Sequence, residues 1–140
     1  MKLIFYILTY SLVSLNFVVA NTIKIDFTAD DTYSIEVSKI DVGDAIECLP
    51  KNKGHNAEFH AGPNMKALPE KSDLDVSHRI TFDLAGVYLY QCTPHGNMGM
   101  LDLIIVGNNF DNLDNIEQVE LSRVAKSVLQ RLIRVAESNR

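Results

Sequence analysis

A thiol, an imidazole and two thioethers fall within the nine residues Cys92-Thr93-Pro94-His95-Gly96-Asn97-Met98-Gly99-Met100. A cysteine and two histidines in a trigonal set, with a weak axial methionine, make the ligand field of a copper centre that transfers electrons. The loop supplies one histidine, and Gly54-His55-Asn56 offers the other, at the start of an expected strand. Taken alone, His55 would be an ordinary surface or core histidine, since one imidazole carries little information. In company with Cys92, His95 and Met100 it completes a four-ligand set. Cys92 would supply the thiolate, His55 and His95 the nitrogens, and Met100 a long axial contact that helps to set the potential. His60 and His78 lack comparable neighbours and read as surface residues, while Met65 reads as packing.

Such a site must keep its geometry in two oxidation states, because any rearrangement adds to the barrier for electron transfer. Ligands carried on stiff strands suit that need. Cys92 ends one expected strand and Met100 precedes the next, so both feet of the loop are fixed. Pro94 removes a backbone N–H that would otherwise be able to donate to the Cys92 sulfur. Asn56, directly after His55, is placed to tie the upstream ligand segment to the loop through its side-chain amide.

The elements that would position these residues are short and alternating. Thr22 to Thr28 alternates around Ile23, Ile25 and Phe27. Ser34 to Val37 and Ala45 to Leu49 follow, divided by the turn signal Asp41-Val42-Gly43-Asp44. His55 to Phe59 is the next expected strand, and a polar, proline-containing loop runs from His60 to Ser77. Arg79 to Phe82 and Val87 to Gln91 read as a hairpin around Leu84-Ala85-Gly86, and Leu101 to Val106 as the last strand. Seven or eight short strands at this spacing predict a sandwich or barrel. In the tail, Leu121, Val124, Ala125, Val128, Leu132, Val135 and Ala136 recur at helical steps, with Ser122 as an N-cap. Leu113 to Val119 predicts a shorter helix before it. An apolar stripe of this kind is usually core, with a membrane surface as the less common use.

Residues 1–20 read as a secretory signal. Lys2 gives a positive start, Leu3 to Val19 is largely apolar, and Val18-Val19-Ala20 offers a cleavage site. Thr9, Ser11, Ser14 and Asn16 interrupt the run, which falls short of the roughly 20 apolar residues of a membrane span. Cleavage leaves residues 21–140, enough for one domain with its own core: a β-sandwich over 21–107 and helices over 112–137. Loss of Lys2 takes the net charge from −5 to −6, which argues against nucleic acid as a partner. Two cysteines in an exported chain invite a disulfide between Cys48 and Cys92, giving a stapled binding module without copper as the alternative reading. The histidine and methionines after Cys92 favour the metal, and leave Cys48 as a small buried hydrophobe.

Lys53-Gly54-His55-Asn56 and Cys92-Thr93-Pro94-His95 with Met98-Gly99-Met100 resemble the pseudoazurins, small cupredoxins with a type 1 blue copper site. Asp44 to Asn56, Ala85-Gly86-Val87-Tyr88 and Asn112 to Ala136 extend the resemblance over nearly all of the chain after the leader. It implies a mainly β, Greek-key sandwich of about eight strands with one or two C-terminal α-helices. It also implies one copper held at His55, Cys92, His95 and Met100, with the axial place at Met100 and not Met98. The implied function is a periplasmic electron carrier, not an enzyme. Its redox partners would be a copper nitrite reductase or a c-type cytochrome, docked around His95, and the chain would be a monomer without stable membrane insertion.

The chain departs from that pattern in three places. Gln91 stands where a lysine is common, Gly96-Asn97 stands where an aromatic residue often follows the histidine, and Cys48 replaces an apolar residue. Lys51, Lys53, Lys66 and Lys71 form a group that is usually a solvated face, with a docking patch as the alternative. A redox enzyme would need a second constellation of histidines or carboxylates, which the sequence lacks. Copper storage would favour exchangeable clusters of methionine and histidine.

Overall fold

The computed structural model describes residues 19–138 and 140, so the expected leader falls almost wholly outside the described residues. Seven strands are formed among them: β1 (Thr22–Asp26), β2 (Val37–Ile40), β3 (Ala45–Leu49), β4 (Glu58–Ala61), β5 (His78–Thr81), β6 (Gly86–Gln91) and β7 (Leu101–Val106). Helices α1 (Leu113–Glu117) and α2 (Arg123–Ser138) follow. The strands make two sheets, one ordered β1-β3-β5 and the other β2-β7-β6-β4. β1 runs parallel to β3 and β2 parallel to β7, while β3–β5, β4–β6 and β6–β7 are antiparallel.

Two apolar layers follow from that stacking. Between the sheets lie Ile25, Phe27, Ile46, Phe59, Phe82, Tyr90 and Ile104, together with Cys48, Cys92 and Met100. Behind the four-stranded sheet, Leu101, Leu103 and Ile105 meet Leu113, Ile116, Leu129 and Leu132 of the helices. Strand β7 is buried on both faces because it separates these layers, which is why it reads as a continuous apolar run. The side chains of Arg131 and Glu36 add a two-point ion pair between α2 and the segment before β2, with N to O distances of 2.7 and 2.5 Å.

Four expectations shift. Arg79 to Phe82 and Val87 to Gln91 do not form the expected hairpin, because β5 pairs with β3 in one sheet and β6 with β4 and β7 in the other. The second strand occupies Val37–Ile40 instead of Ser34 to Val37, because its register is set by the distant parallel partner Leu103–Val106. A hairpin would have fixed it locally, but a parallel pair has no such turn. His55 lies outside the ladder and β4 starts at Glu58, since side chains, not strand pairing, satisfy the backbone there. On α2 the buried face is Ala125, Leu129, Leu132, Ile133 and Ala136, with Val124 and Val135 exposed, so the stripe is rotated from the expected one. Ser122 does cap the helix, its hydroxyl accepting the Ala125 N–H at 3.1 Å.

Candidate metal centre

Strand β6 delivers Cys92 to the end of the sandwich, and β7 begins just after Met100, so the loop between them closes on itself. Cys92 N–H donates to the Met100 carbonyl at 3.0 Å, and Gly96 N–H to the Cys92 carbonyl at 2.7 Å. A single 3-10 turn, Gly96–Met98, ends at Gly99, whose φ of +105° suits a residue without a side chain. Met100 N–H returns to the His95 carbonyl at 3.2 Å, which ties the expected axial residue to the loop histidine. The Ser122 hydroxyl donates to the Asn97 carbonyl at 2.6 Å, so the cap of α2 also clamps the loop.

His55 reaches the same point from the other side. Asp75 holds its backbone: the carboxylate accepts from Gly54 N–H at 2.6 Å and from His55 N–H at 3.4 Å, while Asp75 N–H donates to the His55 carbonyl at 2.9 Å. Gly54 and Asp75 both take positive φ, +90° and +62°, to make this clasp. Asn56 ties the segment to the loop as its position suggested, through Thr93.

The donor atoms then converge. Cys92 Sγ lies 3.8 Å from His55 Nδ1 and 3.7 Å from His95 Nδ1, and the two Nδ1 atoms are 3.1 Å apart. The circle that passes through all three atoms has a radius of roughly 2 Å, which is a metal–nitrogen bond length. One ion can therefore bond all three while lying near their plane, as a cysteine-centred copper site requires. Cys92 and Met100 are fully buried, His55 is nearly so, and His95 is partly exposed. Among the described residues this is the one grouping of histidine, cysteine or carboxylate side chains with metal-ligand spacing.

The electrostatics fit a site that needs a cation. Burial, then the neighbouring His95, holds the His55 imidazole below its ordinary pKa, so it is poised as a neutral donor, with Asp31 and Asp75 opposing. Burial raises the Cys92 thiol, while the backbone N–H groups of Asn56 and His95 stabilise its thiolate. Those two donors were not legible in the sequence, where Pro94 drew attention to the N–H that is missing. Cys48 is free and fully buried, and burial followed by Asp102 pushes its thiol up to about 12. The disulfide of the alternative reading does not form, since both cysteines are free.

The remaining candidates stand apart. His78 Nε2 lies 3.1 Å from the Glu70 carbonyl, and His60 is half-buried at a bulge in β4 instead of lying on the surface. Met65 is exposed, whereas the sequence suggested a packing role. Lys51, Lys53, Lys66 and Lys71 are all exposed. Two of the departures from the pseudoazurin pattern touch each other: a Cβ on Gly96 would come within 2.5 Å of Gln91 Cδ. Gln91 thus lies over the space that a side chain at position 96 would need.

The model of the copper binding proteins, plastocyanin/azurin family, matches residues 19–107. A putative pseudoazurin of Rhizobium leguminosarum bv. viciae is 38% identical over 95 residues, 67% of this chain and 60% of that protein. The pseudoazurin of Methylorubrum extorquens is 35% identical over 91 residues, 64% of this chain and 62% of that protein. The chain thus spans about three fifths of the length of the curated relatives it matches. The solved structure of a Sinorhizobium pseudoazurin superposes with a TM-score of 0.77 at 26% identity, covering 86% of this chain and 99% of its own. Pseudoazurin from Methylobacterium extorquens AM1 gives 0.73 at 25% identity, covering 85% and 99%. The fold is accordingly the mainly β cupredoxin sandwich, and the cofactor that suits its buried donor set is a single copper ion. With more than half of its residues matched by the family model, and with this ligand triangle at the loop end, the chain belongs to the plastocyanin/azurin family of copper-binding proteins.

Proposed function

We propose that the protein is an electron carrier with one type 1 copper bound by His55, Cys92, His95 and Met100, and with no substrate turnover of its own. The observation that carries this reading is the convergence of the His55 Nδ1, His95 Nδ1 and Cys92 Sγ atoms at separations of 3.1, 3.7 and 3.8 Å. Copper, when bound, supplies the reversible one-electron couple. The chain supplies a rigid set of donors, so little reorganises when the charge changes. Met100, buried beside Cys92 and bonded through its backbone to both Cys92 and His95, is the fourth ligand.

Electrons would enter and leave at His95, the partly exposed ligand, beside the exposed Pro94, Met98 and Val124. Residues 1–20 act as an export signal and 21–140 as a monomeric periplasmic carrier. Its partner class is a redox protein, either a c-type cytochrome or a respiratory reductase such as copper nitrite reductase. The resemblance to pseudoazurins supports this placement, and the apolar leader is consistent with it. No described helix is long and apolar enough to cross a membrane.

The visible spectrum after addition of copper tests the proposal. An intense thiolate-to-copper band is expected, and a colourless protein at full copper occupancy would falsify it.

A further inference from the structure

Asp31 lies on the turn between β1 and β2, remote in sequence from every ligand, yet its carboxylate faces the site. Its Oδ1 is 3.5 Å from His55 Nε2 and 3.9 Å from His95 Nδ1. The turn that holds it there is built for the purpose. Thr28 N–H donates to the Thr32 carbonyl at 2.9 Å, the two threonine hydroxyls share a hydrogen bond of 2.7 Å, and Phe27 pairs with Tyr33 just outside. Thr28 Oγ1 also accepts from the N–H groups of Asp30 and Thr32, each at 3.3 Å. At the apex Asp31 adopts φ +53°, a left-handed conformation that aspartate and asparagine enter more readily than most residues with a side chain. The Phe27 ring, at the foot of the same turn, packs edge-on to His55 with centroids 6.0 Å apart.

We propose that Asp31 is a positioning residue of this centre: held over both imidazoles by the Thr28–Thr32 turn, its carboxylate favours a proton on His55 Nε2 across the 3.5 Å contact and biases bound copper towards its oxidised state. This rests on the copper reading above. A proton on Nε2 leaves the Nδ1 lone pair for the metal, so the carboxylate selects the tautomer that ligation needs. Copper gains one unit of positive charge on oxidation while its four ligands keep theirs. A fixed negative charge beside them therefore stabilises the oxidised form more than the reduced one. Asp31 is about half exposed, so solvent weakens the effect and added salt should weaken it further.

Asp31→Asn tests this without disturbing the turn, since asparagine tolerates a positive φ well. The copper-loaded protein is equilibrated with a redox mediator at fixed potential. At low salt the ratio of oxidised to reduced copper should fall by roughly three- to tenfold in Asp31→Asn, and high salt should shrink the gap. Asp31→Glu, which keeps the charge, should recover most of the ratio. In the metal-free protein, the nitrogen chemical shifts of His55 should report an Nε2–H tautomer that loses population in Asp31→Gly, which has no side-chain acceptor and suits the positive φ.

An unchanged ratio in a blue Asp31→Asn protein would overturn the charge-setting role. An unchanged tautomer population would overturn the positioning role. A parent protein that binds copper without any blue colour would sink the copper reading itself, and the bias with it, before any variant is made.

Discussion

Asn56 and Thr93 bond each other twice: the Asn56 amide donates to the Thr93 hydroxyl at 2.9 Å, and the Thr93 N–H donates to Asn56 Oδ1 at 2.8 Å. Asn56 also donates to the Ser72 carbonyl at 3.2 Å, and the Thr93 hydroxyl passes on to Glu58 at 2.6 Å. These bonds join the segment that carries His55 to the loop that carries Cys92 and His95. Asn56→Ala should therefore act twice. It leaves the Thr93 N–H without its partner, costing about 1–3 kcal/mol of folding stability by urea titration. It also frees the two halves of the site to move apart, so copper should be lost faster to a chelator than from the parent.

The two cysteines should separate cleanly in the spectrum. Cys92 sits in the donor triangle, whereas Cys48 is a buried side chain on β3 with no donor atom near the site's nitrogens. Cys92→Ser should abolish the blue band. Cys48→Ala should leave its position and intensity intact, and lower stability by about 1–2 kcal/mol for the lost packing of one sulfur. Equal loss of colour in both variants would refute this division of roles.

Ser122 connects the helical tail to the metal loop, because one hydroxyl accepts from Ala125 N–H and donates to the Asn97 carbonyl. Loss of an N-cap costs about 1 kcal/mol. Ser122→Ala should show that loss in thermal unfolding and, in addition, faster exchange of the loop amides around Asn97. Ser122→Thr, which keeps the hydroxyl, should restore both. Exchange confined to the helix, with the loop unchanged, would mean that the cap does not reach the site.

Much of the site was legible because its chemistry is local. Cys92 and His95 lie on one loop with Met100, the proposed fourth ligand, and donors of these types point to copper before any fold is considered. Asp31 and Asp75 were not legible, because each reaches His55 from a distant turn through a positive-φ backbone that no spacing rule reveals. The same limit explains β2, whose parallel partner lies more than sixty residues further on and sets the register non-locally. The helix was read correctly as an element but rotated. Val124 looks like core in sequence, yet it is exposed near Gly99 at the loop edge, while Val128 packs against the core and Leu129 and Ile133, outside the expected stripe, are buried.

Asp102 predicts how stability depends on pH. It lies on β7, facing the layer between the sheets, where Tyr90 donates its hydroxyl to Oδ2 at 3.1 Å and Oδ1 has no partner. Burial drives its carboxyl well above the usual range, with the Tyr90 hydrogen bond acting in the opposite direction. Because the folded value is raised, the stability that Asp102 contributes is fully present below the unfolded value, near pH 4, and is lost as pH rises towards the folded one. Asp102→Asn keeps an acceptor for Tyr90 and removes the ionisation. The two proteins should thus be closest in stability near pH 4. The variant should gain on the parent as pH rises from 4 towards 8, and the gap should level off once the folded value is passed. Urea unfolding at both ends of that range measures the gap. A gap that stays constant with pH would mean that Asp102 is not held neutral by the fold.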